Sequence, residues 1–201
     1  MGISLQQFEQ MKARVNAPRR KNAVADPIPV RRMTGKHIVL GVDPSLRGTG
    51  FGIIACARGE SSLLACGTIK CAASWDRSRC LARISQSLRE VIQAHQPTVC
   101  AIEGLFYAQN FQTALIMGEA RGAALAVIAE AGLEIYEIAP RKVKQAIVGY
   151  GAAQKLAVAK MVQRMMNLPE LPAPDAADAL ALALTFVQTN TARGLGAPKR
   201  I

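Results

Sequence analysis

Histidine is nearly missing from this 201-residue chain, with only His37 and His95 present. His37 enters a predicted strand and His95 closes a helical stretch, so both read as structural or surface residues, and histidine-based mechanisms have little to work with. The five cysteines (Cys56, Cys66, Cys71, Cys80 and Cys100) are odd in number and show no C-x-x-C spacing. They read as buried thiols in a reducing compartment, not as a zinc site or a disulfide framework. No apolar run reaches the roughly 18–20 residues of a membrane-spanning helix, and the start has no apolar core of a secretory signal. These absences predict a soluble, cytoplasmic protein with no membrane partner.

Apolar and basic residues are plentiful. Half the residues are hydrophobic, enough for one sizeable core. The net charge is +11: residues 1–36 hold eight Lys/Arg against Glu9 and Asp26, giving +6, and the other 17 basic and 12 acidic residues give +5. A positive balance over both tail and body favours a polyanion partner, most simply nucleic acid. Residues 1–36, with Pro18-Arg-Arg-Lys21 and Arg31-Arg32, are predicted to be a mobile basic arm; an organellar targeting segment is the alternative. Residues 37–189 are predicted to form the folded domain and 190–201 a short basic tail.

The folded part opens with Ile38-Val-Leu-Gly-Val-Asp43, a strand apolar on both faces. A turn follows, then strands over 51–57 and 63–70, which together predict a three-strand antiparallel meander. Helical periodicity over 74–96 ends at Pro97, and Val99-Cys-Ala-Ile-Glu103 forms the next strand. A right-handed crossover lays that strand beside the first, so Asp43 and Glu103 become neighbours. A long Ala-rich helix over 111–131, a strand over 133–138 and helices over 140–148, 152–167 and 175–188 complete the order. The prediction is an α/β fold, a mixed sheet of meander plus parallel strands flanked by helices.

Three acidic positions carry the chemistry. Asp43 and Glu103 place a carboxylate where a buried strand meets solvent, and Asp175-Ala-Ala-Asp178 sets two acids on one face at a helix start. Each has a plainer reading: Asp43 as a turn cap, Glu103 as a salt-bridge partner, Asp175 as an N-cap with Asp178 favoured by the helix dipole. Brought together, they are suited to holding two Mg²⁺ ions about 3.5–4 Å apart for phosphodiester hydrolysis, one activating water and the other stabilising the leaving 3′ oxygen.

Gly41-Val-Asp-Pro44 with Thr49-Gly-Phe-Gly52, Ala101-Ile-Glu103, Gly118-Glu-Ala-Arg-Gly122, Val143-Lys-Gln145 with Gly149-Tyr-Gly151, and Asp175-Ala-Ala-Asp-Ala-Leu-Ala181 together resemble the RuvC family of Holliday junction resolvases, in consistent order from about His37 to Gln188. The resemblance implies an RNase H-like fold, a homodimer, and Mg²⁺-dependent symmetric nicking of four-way DNA junctions during recombination and repair, with Mn²⁺ as a possible substitute. It implies metal-binding catalytic acids at Asp43, Glu103, Asp175 and Asp178. DNA contacts are implied at Phe106, Lys144 and Lys155, and a branch-migration helicase complex as partner. Arg121 reads as structural. Two departures stand out, Ser45 where the family usually has Gly and Phe186 where a His is often found. The alternatives are a catalytically inactive junction-binding protein and a phosphotransferase of the actin and sugar-kinase type, for which a second Asp-Gly phosphate loop is lacking.

Overall fold

The computed structural model describes residues 35–57, 60–104, 110–191 and 198–201. Most of the predicted basic arm and half of the basic tail therefore lie outside the described residues. The elements run β1 (His37–Asp43), β2 (Gly48–Ala57), β3 (Glu60–Lys70), α1 (Arg77–His95), β4 (Val99–Glu103), α2 (Phe111–Glu130), β5 (Glu134–Ile138), α3 (Pro140–Val148), α4 (Lys155–Met165), α5 (Pro174–Thr191) and β6 (Lys199–Arg200). One sheet holds all six strands in the order β3-β2-β1-β4-β5-β6. The β1–β2 and β2–β3 pairs are antiparallel, β1–β4 and β4–β5 parallel, as predicted.

Side-chain alternation along the central strands divides the core in two. On one face Leu40, Cys100 and Ile102 pack against Ile84 and Leu88 of α1 and Ala124 and Ile128 of α2. On the other, Val39, Val99 and Ala101 pack against α3, α4 and α5 through Val143, Val158, Val162, Leu180 and Leu184. Strands covered on both faces explain why the sequence of β1 and β4 is apolar without alternation. The fold is thus a three-layer α/β arrangement around a mixed sheet.

β6 is the element the sequence did not suggest. Two residues carry no periodicity, and Lys199 and Arg200 were expected to belong to a patternless tail. They pair antiparallel with Glu137 and Tyr136, and Arg200 forms a 3.0 Å ion pair with Glu134. Covering the β5 edge this way satisfies backbone groups that would otherwise be open to pairing with another chain.

Ser45 and Phe186 find ordinary places. Ser45 is not among the residues with positive φ, so its turn makes no demand for glycine there. The buried Thr49 side chain closes the turn, donating to the Ser45 carbonyl at 2.6 Å and accepting from its amide at 3.2 Å. Phe186 is buried against Tyr136, ring centroids 4.9 Å apart.

Candidate active site

Strand register and face place the first two acids. The parallel β1–β4 pairing ends at Val42↔Ile102, so the next residues, Asp43 and Glu103, are neighbours at the strand ends. Both are in phase with Val39, Val99 and Ala101, and therefore point to the face covered by α5. The two carboxyls perturb each other, and both are pushed toward the protonated form. Glu103 is pushed up to about 8, first by burial, then by the charge of Asp43, its hydrogen bond to Asp43 and the charge of Asp178, with Lys155 opposing. Asp43 is raised as well, chiefly by burial, while the hydrogen bond from Glu103 pulls it down. Burial and the neighbouring acids thus favour the neutral form at this strand end.

Helix α5 brings the other two acids. It begins at Pro174, whose lack of an amide proton costs nothing in a first turn, and Ala177 N–H donates to the Ala173 carbonyl at 2.8 Å. Asp175 is therefore inside the first turn, not the N-cap residue that its sequence context also suggested. The negative charge still complements the helix dipole. What lets α5 come so near the sheet is a trough of glycines. Gly41 and Gly52 face each other across β1 and β2, and Gly50 lies opposite Asp43. A Cβ at Gly41 would sit 1.9 Å from the Ala179 carbonyl oxygen, and one at Gly50 2.0 Å from that of Asp175. Any side chain there would drive the helix, and its acids, off the sheet. The charges of Asp175 and Asp178 accordingly reach Asp43, and that of Asp178 reaches Glu103.

Of the predicted basic contacts, Lys155 joins the acids. It opens α4, and its Nζ lies 2.6 Å from Asp178 Oδ2 with most of its side chain exposed. Its pKa is raised, first by the hydrogen bond to Asp178, against the opposing effect of burial, and further by the charges of Asp178, Asp43 and Glu103. Lys144, half-buried on α3, makes no ion pair with the four acids. Phe106 lies outside the described residues. Arg121, which reads as structural from the sequence, contacts the same strand end from the other side of the sheet. It is buried on α2, and its guanidinium donates to the Glu103 carbonyl and to Glu137 Oε2.

The arrangement offers carboxylate oxygens and a surplus of negative charge, the donor chemistry of a hard divalent cation. Among the described residues, no three His, Cys, Asp or Glu side chains already form a metal-binding group. The Lys155 ammonium offsets part of the charge of the cluster, and the raised pKa of Glu103 reflects the same crowding of acids in a buried place, which a cation would relieve. The residues fit such an ion by chemistry.

A model of the family "Crossover junction endodeoxyribonuclease RuvC" matches residues 39–186. A protein of that name from Chlorobaculum parvum is 46% identical over 147 residues, 73% of this chain and 79% of the relative. Another, from Chlorobium chlorochromatii, is 43% identical over 164 residues, 81% of this chain and 85% of the relative. Among solved structures, Thermus thermophilus RuvC in complex with a Holliday junction substrate is similar at TM-score 0.75 and 33% identity, covering 82% of this chain and 99% of that one. A yeast mitochondrial Holliday junction resolvase is similar in fold alone, at TM-score 0.53 and 12% identity.

Proposed function

The chain belongs to the RuvC family of crossover junction endodeoxyribonucleases, and from that premise we propose that it resolves four-way DNA junctions by Mg²⁺-dependent, symmetric paired nicking as a homodimer. The observation that carries this reading is the meeting of Asp43, Glu103, Asp175 and Asp178 at one end of the sheet. The solved complex of the Thermus thermophilus relative with a Holliday junction substrate supports the choice of DNA.

In this reading the four acids hold the cations. When bound, two Mg²⁺ ions would supply the charge that lowers the pKa of an attacking water and steadies the leaving 3′ oxygen. A bound cation would favour the ionised form of Glu103, whose pKa is raised first by burial and then by the charge of Asp43. Lys155, exposed beside the cluster, is free to leave Asp178 and neutralise a DNA phosphate, and Lys144 serves the same purpose from α3. Phe106 is proposed to stack on an exposed base.

Paired nicks require two sites related by two-fold symmetry. Helix α2 supports a self-complementary face: Phe111 is 77% and Leu115 48% exposed, and a Cβ at Gly118 or Gly122 would meet nothing within 4 Å. An apolar helix side left open is unusual unless another surface covers it.

Incubating the purified protein with a synthetic four-way junction and Mg²⁺ tests the proposal. Paired symmetric nicks that disappear in Asp43→Asn and Glu103→Gln are expected. Tight junction binding without any Mg²⁺-dependent cleavage would replace it with a binding-only role.

A further inference from the structure

We infer that Arg121 is a positioning residue for the nuclease reaction, acting through the main chain of Glu103 from the side of the sheet opposite the acids. The inference rests on the reading of Glu103 as a metal ligand. Alternation along β4 and β5 sets the geometry. Glu103 shares the α5 face with Val99 and Ala101, whereas Glu137 shares the opposite face with Ile135, where α2 packs. Arg121 rises from α2 on that opposite face and is 6% exposed. One guanidinium nitrogen donates to the Glu103 carbonyl, and the other donates to Glu137 Oε2 at 2.5 Å.

This arrangement separates two tasks that a single ion pair would confuse. Had the guanidinium met the Glu103 carboxylate directly, it would have neutralised the oxygens a cation needs. Glu137 supplies the counter-charge, so Arg121 reaches the Glu103 carbonyl as a paired cation while the carboxyl stays on the acid face. The following residue is tied down too, because Gly104 N–H donates to the Ile138 carbonyl at 2.9 Å. A planar, two-pronged donor is needed to span both acceptors, and an ammonium cannot do so with the same fixed geometry. The strand end is thereby held between α2 and β5, and Glu103 inherits its direction from that grip. Groups that orient a ligand in this indirect way commonly change metal affinity or activity by about 10- to 100-fold when altered.

Two variants test the inference, Arg121→Lys and Glu137→Gln, with Glu103→Gln as the reference. Isothermal titration of the metal-free proteins with Mn²⁺ gives a readout independent of cleavage, and junction cleavage is followed in parallel. Arg121→Lys is expected to weaken Mn²⁺ binding and lower kcat by about 10-fold or more while KM for the junction moves by less than about threefold. Glu137→Gln is expected to do the same more weakly. A residue needed only for folding would lower the thermal midpoint and leave Mn²⁺ affinity unchanged in the folded protein. Folded variants with wild-type Mn²⁺ affinity and kcat overturn the inference, and if Arg121→Lys does not fold, Glu137→Gln decides it. Cleavage retained in Glu103→Gln would overturn the assignment of the site itself, and this inference with it. Loss in Glu103→Gln with no effect in either variant overturns the positioning role alone.

Discussion

The Lys155 ammonium lies 2.6 Å from Asp178 Oδ2, so the side chain proposed to meet a DNA phosphate rests, without DNA, on an acid proposed to hold metal. Lysine and cation then compete for one carboxylate. Lys155→Met should bind Mn²⁺ about 2- to 5-fold more tightly in the absence of DNA, the range an exposed ion pair of up to ~1 kcal/mol supports. It should nevertheless cleave junctions more slowly. Titration calorimetry beside a cleavage assay checks both halves, and weaker metal binding in the variant would show that the pair does not compete.

The raised pKa of Glu103 has a direction in pH. The folded state holds this proton up to about 8 against an ordinary value of 4.5, so between these the folded protein binds more protons than the unfolded chain. Stability of the metal-free protein should be full below about 4.5 and fall as pH rises through about 8. Asp43, also raised, adds in the same sense. Glu103→Gln should flatten much of this slope and be relatively more stable at pH 8 than at pH 5. Denaturant midpoints in EDTA at the two pH values measure it.

The glycine trough and the open glycines of α2 predict opposite outcomes for one substitution. Gly41→Ala puts a methyl 1.9 Å from the Ala179 carbonyl oxygen, and should destabilise by about 1–3 kcal/mol or more while lowering cleavage. Gly118→Ala meets nothing within 4 Å and should stabilise the isolated chain by roughly 0.5–1 kcal/mol through helix propensity. Urea unfolding distinguishes them.

Leu115→Glu should leave the protomer folded, because this side chain is half exposed. If α2 is the dimer face, the variant should sediment as a monomer and lose paired nicking. A variant that stays dimeric moves the interface elsewhere.

Asp43 and Glu103 were readable as a pair because strand ends, a crossover of fixed hand and period-two alternation are local rules. Asp175 and Asp178 were harder, since a helix sequence says which face is apolar but not where on a sheet it docks. The missing signal was nonetheless present in Gly41, Gly48, Gly50 and Gly52, which read as turn and strand residues until β1 and β2 are laid side by side. Arg121 reads as structural from the sequence, and its partners come from two strands, β4 and β5, that only the fold brings beside α2. β6 has too few residues for any pattern, and its existence depends on the exposed β5 edge beside it.

Side chains in a core have rotamers, and a neighbour's change can be absorbed by repacking. Where a strand's Cα meets a helix carbonyl there is nothing to repack, as between Gly41 and Ala179. The separation between the sheet acids and the helix acids is therefore inherited from covalent backbone geometry and has no soft adjustment of its own. The surrounding core can drift in composition without moving the acids, whereas a single methyl in the trough translates half of the site at once.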